Sequence, residues 1–335
     1  MTPASRIQDR LAELGATPRH AELVLRAWLA GERLETATRS RHCTFSPTVV
    51  TELAALEREL DLLAPPVAEH PGADGSARFL HALADGRTVE SVLLLRDGVC
   101  VSSQVGCAVG CTFCMTGREG LVRNLTADEI LAQVVHARRR RKVRRVVFMG
   151  MGEPSHNLAG VLGAIDVLGS AGCFGHKELV FSTVGEKRLF EKLLARTIKP
   201  AVALSLHTTR DELRAELLPR APRVAVAELV ALAEHYARSS GHPIQVQWTL
   251  LAGVNDGDDE LAALVELFHG KHAIVNFIPF NPVEGAPFAR PTPERAHAMA
   301  KHLSEHGVLS KVRLSAGQDV DGACGQLRAR ALAKS

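Results

Sequence analysis

The sequence predicts an α/β protein: a partial (β/α)6 barrel preceded by a small N-terminal helical domain and a β-meander extension. Three observations lead there. From Leu125 onward, apolar runs of four to eight residues without strict alternation follow one another, as strands buried on both faces require, and amphipathic stretches separate them. Before them, the runs ARFLHAL, TVESVLLL and VCVSS are punctuated by Asp85-Gly86 and Asp97-Gly98, the turn dipeptides of a meander. Residues 1–64 instead carry apolar positions at helical spacing.

The helical domain starts with Ile7 to Leu14, Leu11 lying between, and continues with Ala21 to Leu29. Ser46 and Pro47 supply an N-cap and a first-turn proline for a helix that groups Val50, Leu53, Leu56 and Leu60 on or near one face. Residues 65–76, opening on Ala64-Pro65-Pro66 and rich in Pro, Gly and Ala, read as a linker. The meander extension occupies 77–104, and the barrel core runs on to 335. Thr126 and Glu129 form a capping box for a helix ending near Arg140. Strands are expected at RRVVFMG, ELVFSTV, PAVALSLH, IQVQWTLL, AIVNFIPF and KVRLSA, with helices from Leu158, Lys187, Val224, Asp258 and Pro293 between them. In such a barrel the functional residues belong at the C-terminal ends of the strands.

With 335 residues the chain can bury a large core, and 46% hydrophobic with 23% charged residues suits a soluble protein. No run of 18 apolar residues is present and the N-terminus lacks a signal-like apolar segment, so a cytoplasmic protein without membrane association is expected. Seven cysteines, odd in number and clustered, fit metal and redox chemistry better than a disulfide framework. A net charge of +3 is too small to argue nucleic-acid binding by itself, but Arg138 to Arg145 reads RRRRKVRR, seven positives in eight positions. That run is either a solvated helix end or a phosphate-binding strip, to which Arg118, Arg123, Lys187 and Arg188 could add.

Cys107, Cys111 and Cys114 form C-x3-C-x2-C in the stretch CVSSQVGCAVGCTFCMTGREG. Soft thiolates at this spacing suit an iron–sulfur cluster or zinc; a closed zinc site wants a fourth ligand, and no Cys or His follows within twenty residues. The plain alternative is three buried structural cysteines. The motif, with Phe113 before its last cysteine, resembles that of the radical S-adenosylmethionine (SAM) superfamily, in which three cysteines hold a [4Fe–4S] cluster whose free iron chelates SAM.

At the expected strand ends stand Met151-Gly152-Glu153-Pro154, Ser182-Thr183, Ser205-Leu206-His207 and Asn281, a ring of polar groups that singly would read as helix caps. Taken in order, CVSSQVGC with the cysteine motif, RNLTADEI, FMGMGEP, STVG, SLH, GVND, IPFNP and DVDGACGQL resemble the RlmN/Cfr family of RNA adenosine methyltransferases from Glu90 to Leu327, about seven tenths of the chain.

The resemblance implies that Gly152, Glu153, Ser182, Ser205, Leu206, His207 and Asn281 bind SAM while Cys107, Cys111 and Cys114 hold the [4Fe–4S] cluster. It implies that Cys324 is first S-methylated by one SAM. A radical from a second SAM takes hydrogen from that methyl group, and the methylene adds to an electrophilic ring carbon of adenine. Cys100 then resolves the adduct through a transient disulfide with Cys324, and Glu90 accepts the ring proton. C2 is favoured over C8. The expected partners are rRNA and/or tRNA and an electron donor such as flavodoxin or ferredoxin, and the chain is expected to be a monomer with its helical domain as an RNA-docking candidate. Departures from the family pattern at Met115, Ser155-His156, Trp248, Gln318 and Gly322 remove no residue that performs chemistry. Cys43 and Cys173 match no motif and read as packing residues. The competing readings are a radical SAM enzyme acting on a protein or small molecule, and a non-catalytic iron–sulfur RNA-binding protein.

Overall fold

A computed structural model describes residues 3–40 and 43–329. The N-terminal unit contains α1 (Pro3–Glu13), α2 (Pro18–Ala30) and α3 (Pro47–Asp61). Ser46 Oγ accepts from the Val49 N–H, and Val49, Leu53, Leu56 and Leu60 are buried while Val50 is exposed, so the buried face of α3 is the i, i+4, i+7 stripe.

The expected linker holds a strand. β1 (Pro66–Pro71) pairs antiparallel with β2 (Ala77–Ala82) at the sheet edge. Two prolines that argue against a central strand are compatible with an edge, where one side of the ladder needs no partner. β3 (Thr88–Leu94) and β4 (Gly98–Cys100) complete the meander, the second turn being carried by positive φ at Arg96 (55°) and Asp97 (58°). A small hairpin, β5 (Gln104–Gly106) with β6 (Leu121–Asn124), then frames the cysteine stretch.

The β/α series follows as α4 (Ala127–Arg140), β7 (Arg145–Phe148), α5 (Leu158–Ser170), β8 (Leu179–Thr183), α6 (Lys187–Leu194) and β9 (Ala201–Ser205). It continues with α7 (Asp211–Leu217), α8 (Val226–Ser240), β10 (Ile244–Leu250), α9 (Asp258–Phe268), β11 (Ala273–Pro279), α10 (Pro293–Glu305) and β12 (Ser310–Val312). The strands lie in the order β1-β2-β3-β4-β7-β8-β9-β10-β11-β12, parallel from β4 to β12. Thr126 and Glu129 make the capping box of α4 as their spacing predicts.

The sheet is strongly curled. β7 and β12 are five strands apart, roughly 24 Å if the sheet were flat, yet Arg145 on β7 interacts electrostatically with Lys311 on β12 and with Arg313 just after it. That is a partial barrel with an opening between β12 and the β4/β7 side. Strand register fixes what faces its interior. Cys100 pairs with Val147, Val147 with Val180, Ser182 with Ala203, Ser205 with Gln247, Gln247 with Asn276, and Asn276 with Lys311. Paired residues share a face, as do residues two apart, so this row lines one side of the sheet. No helix among the described residues is long and apolar enough to cross a membrane.

Candidate active site

The cysteine loop is built by its neighbours. Cys107 N–H donates to the Gly120 carbonyl (3.0 Å), closing the loop on its hairpin, and Thr112 N–H donates to the Leu217 carbonyl (3.0 Å) at the end of α7. Gly110, at φ +66°, lies under the Arg220 guanidinium, where a Cβ would fall 2.3 Å from Nη2. The left-handed backbone and the close approach both favour glycine there. The backbone N–H groups of Val109 and Gly110 point at the Cys107 sulfur. Burial pushes the Cys107 thiol up to about 12, and burial together with Cys114 and Cys107 raises Cys111 well above the ordinary thiol range. As free thiols these groups are protonated, and binding a metal centre must displace those protons. Three cysteines on separate corners of a cluster stand farther apart than ligands converging on one ion. Among the described residues no trio of His, Cys, Asp or Glu converges in the latter way.

Above the loop the predicted polar ring is assembled. Gly152 has φ +105°, and a Cβ there would sit 2.7 Å from Gln104 Cβ and Cγ. The backbone therefore passes close to β5, and the Glu153 N–H reaches Gln104 Oε1 (2.8 Å). Glu153 is buried, its carboxylate accepting from Val184 N–H (3.0 Å) and Ser155 N–H (3.1 Å). It lies within charge range of Cys107 and Cys111, and so beside the loop. Ser182 and Ser205 face the barrel interior by register. Leu206 is fully buried and donates its N–H to Gln247 (3.1 Å), so its contribution to a ligand is limited to backbone and packing.

His207 has φ +68°, accepts from Thr249 N–H through Nδ1 (3.0 Å) and meets Phe113 edge-on at 4.8 Å between centroids. Burial and the nearby Arg214 hold its pKa down to about 3, so it is neutral. Asn281 donates from Nδ2 to Ser315 Oγ (2.9 Å) and to the Cys324 carbonyl (3.1 Å), whereas its buried Oδ1 has no partner. An orphaned acceptor, a buried carboxylate and a glycine cradle beside three clustered thiols fit SAM held at an iron–sulfur cluster.

Two residues that the strand-end reading passed over hold this ring in place. Asn255, in the GVND stretch, donates to the carbonyls of His207 (2.7 Å) and Thr249 (2.8 Å) and accepts from Leu251 N–H (2.7 Å), fixing the strained His207 backbone. Arg214 is buried on α7 and bonds the carbonyls of Val184 and Ser205 (3.3 Å), within charge range of Glu153 and Cys111. A lone arginine among the leucines of DELRAELL was its only signal.

The C-terminal segment lies over the loop. Met115 N–H donates to the Gly325 carbonyl (2.7 Å) and Thr116 Oγ1 to the Leu327 carbonyl (2.6 Å). Cys324 thus sits at the barrel mouth, exposed to solvent yet within charge range of Cys114 and Cys100. Desolvation of its sulfur by the surrounding protein, with Cys114 beside it, raises its thiol to about 11, Arg313 opposing, and burial with Cys324 nearby raises Cys100 to about 12. Glu90 is buried on β3, ion-paired with Arg78, and accepts from the N–H groups of Arg328 (2.9 Å) and Ala329 (3.1 Å). Arg78 also donates to the Val320 carbonyl (2.6 Å). The carboxylate therefore fastens the Cys324 segment to the meander.

Most charges of the basic run, which spans the end of α4 and the start of β7, are used within the fold, Arg145 being an exception. Arg138 bonds the Leu29 carbonyl (2.7 Å) and stacks on Phe174, Arg139 pairs with Asp61, Arg140 with Glu69 and Arg144 with Asp97. Arg141 donates to the carbonyls of Gly75 and Leu94. Arg123 and Lys187 are likewise paired, with Glu129 and Glu228. Cys173, read as a packing residue, is exposed in the turn after α5.

Residues 101–265 match the family described as the Radical SAM superfamily. A probable RNA methyltransferase of Bordetella avium is 61% identical over 96% of this chain and 92% of its own length, and one of Azoarcus sp. is 59% identical over 97% and 93%. The crystal structure of a radical SAM methyltransferase from Sphaerobacter thermophilus superposes with a TM-score of 0.84 at 35% identity, covering 98% of both chains. Members of the superfamily use a [4Fe–4S] cluster and SAM. Identity of this extent over nearly whole lengths, on a barrel whose mouth gathers the three cysteines and the polar ring, means that the chain belongs to the radical SAM superfamily, in one family with these probable RNA methyltransferases.

Proposed function

We propose that the protein methylates a ring carbon of adenosine in RNA, C2 rather than C8, through S-methylated Cys324. The observation that carries this reading is the docking of the Cys324 segment onto the cysteine loop, with Cys100 in range of the same sulfur. A radical SAM enzyme acting on a small molecule has no use for a second thiol pair at its barrel mouth.

In this reading Cys107, Cys111 and Cys114 hold the cluster, which when bound supplies the electron that cleaves SAM. Glu153 takes the cofactor's amino group, with Gly152, Ser182, Ser205, the Leu206 backbone, His207 and Asn281 around the rest. The Cys324 thiolate is the nucleophile that receives a methyl group from SAM, because a thiolate attacks a sulfonium methyl and an electrophilic ring carbon does not. Cys100 later attacks the Cys324 sulfur as a thiolate: an S–S bond forms, the bond from Cys324 sulfur to the transferred methylene carbon breaks, and its electron pair stays with the base, whose methylene takes up a proton to become the methyl group. The disulfide then needs two electrons from a reducing partner. Glu90 accepts the ring proton, which requires it to leave its present partners and so to loosen the segment it fastens. The target adenine must be unstacked to enter the barrel mouth.

The test is nucleoside mass spectrometry of rRNA and tRNA from cells with and without the gene. A methyladenosine that disappears with the gene, and is not restored by a Cys324→Ala copy, is expected. Full restoration by that copy would refute the S-methylcysteine route.

A further inference from the structure

The opening of the barrel between β12 and the β4/β7 side carries four cations with no ion-pair partner: Arg96 in the turn before β4, Arg145 at the start of β7, Lys311 on β12 and Arg313 just after it. All four are exposed, and none takes part in an ion pair among the described residues. Asp97, the neighbouring carboxylate in the β3–β4 turn, faces Arg144. The charges act on one another: Arg313, Arg145 and Arg96 all repel Lys311, and Arg145 repels Arg313. No carboxylate contributes to either environment; the other titratable groups near Arg313 are the Cys324 and Cys100 thiols. Burial lowers the pKa of both Lys311 and Arg313, so the exposed ends stand between walls of protein.

Register places Arg145 two residues from Val147 on the face that carries Cys100, and Lys311 opposite Asn276, whose buried Oδ1 has no partner. Four like charges held together without a counter-ion cost stability, so the arrangement calls for an anion from outside.

We propose that this cleft binds the phosphate backbone of the substrate RNA and leads it to the Cys100/Cys324 pair. The inference rests on the RNA methyltransferase reading and names the surface that would take the substrate. A row of cations extending over three elements suits a chain of phosphates better than a single small anion. Leu314, 71% exposed beside Arg313, offers an apolar surface to a base.

The test uses the cluster-loaded protein and fluorescein-labelled bulk tRNA, with binding followed by anisotropy from about 50 to about 200 mM salt. The double variants Lys311→Gln/Arg313→Gln and Arg96→Gln/Arg145→Gln are each expected to bind more weakly. Each should also flatten the slope of log affinity against log salt by about one for every cation removed. Because the two pairs lie on different elements, misfolding of one, seen by circular dichroism, leaves the other to decide. Arg139→Gln/Arg140→Gln, which removes cations already paired, should leave the slope unchanged. Unchanged slopes in both cleft variants, with wild-type binding intact, would overturn the cleft. Saturation by inorganic phosphate without displacement of tRNA would make it a small-anion site, which also overturns the proposal. Failure of the wild type to bind tRNA and ribosomal RNA fragments at low salt would instead sink the RNA reading itself.

Discussion

Replacing Arg78 by methionine is expected to free the segment that carries Cys324. The guanidinium joins two ends of that segment at once: it pairs with Glu90, whose carboxylate holds the Arg328 and Ala329 N–H groups, and it bonds the Val320 carbonyl. Glu90 is 1% exposed, so removing its cation leaves a carboxylate out of water with two backbone donors. Breaking one side of such a buried pair costs about 3 kcal/mol. The bonds that remain, among them Asp74 to the Gly317 N–H, Asp319 to the Ala73 N–H, Met115 N–H to Gly325 and Thr116 to Leu327, are worth about 1 kcal/mol each and must break on opening in variant and wild type alike. At 1.4 kcal/mol per tenfold, local opening should become about a hundredfold more populated. Hydrogen exchange reads this directly: amides at Arg328 and Ala329 should lose about two orders of magnitude of protection, while β8 to β10 change little. Equal protection in Arg78→Met and wild type would show that the ion pair does not hold the segment, and the fastening role of Glu90 would fall with it.

Cys100→Ala should accumulate a covalent protein–RNA species after one turnover, visible as a ribonuclease-sensitive shift on a denaturing gel, and absence of any adduct counts against Cys100 as the resolving thiol. S-methylation of Cys324 should rise about tenfold per pH unit between pH 7 and 9, because its thiol sits near 11 and the thiolate fraction grows below that value; peptide mass spectrometry giving a flat profile would rule out rate control by the free thiolate. Gly152→Ala would place a Cβ 2.7 Å from the Gln104 side chain at φ +105°. It should lose about 2 kcal/mol of stability and weaken SAM binding at least tenfold by calorimetry; wild-type affinity would show that the close approach of this backbone to β5 is dispensable.

The barrel strands were legible because burial on both faces leaves an unbroken apolar signature, and VVF, LVFST, AVALS and IVNFIP carry it plainly. β1 was not, because an edge strand needs neither apolar alternation nor freedom from proline, and PVAEHP has the composition of a linker. α7 was missed for a related reason: seven residues of mixed charge carry too little periodicity to register. At the site, the cysteine spacing and the strand-end residues were readable because the ligands are local in sequence or recur at equivalent strand positions. Asn255 and Arg214 act through bonds to backbone carbonyls of other elements, and nothing in their own neighbourhoods announces that.

The basic residues show the same limit most sharply. Seven positives in eight positions draw the eye, yet a helix end packed against a helical domain and an edge strand has carbonyls and carboxylates to satisfy, and Arg138 to Arg141 satisfy them. Arg145 closes the same run but begins a strand whose inner face leads to Cys100, and its charge has no local partner. Its companions, Arg96, Lys311 and Arg313, are scattered over more than two hundred positions and meet only because the sheet curls. Charge density along the chain reports how many counter-charges a segment needs, whereas affinity for a polyanion depends on cations left unpaired after folding. If substituting Arg139 and Arg140 weakened RNA binding more than substituting Lys311 and Arg313, that distinction would be wrong for this protein, and the helix end would regain the role its composition suggests.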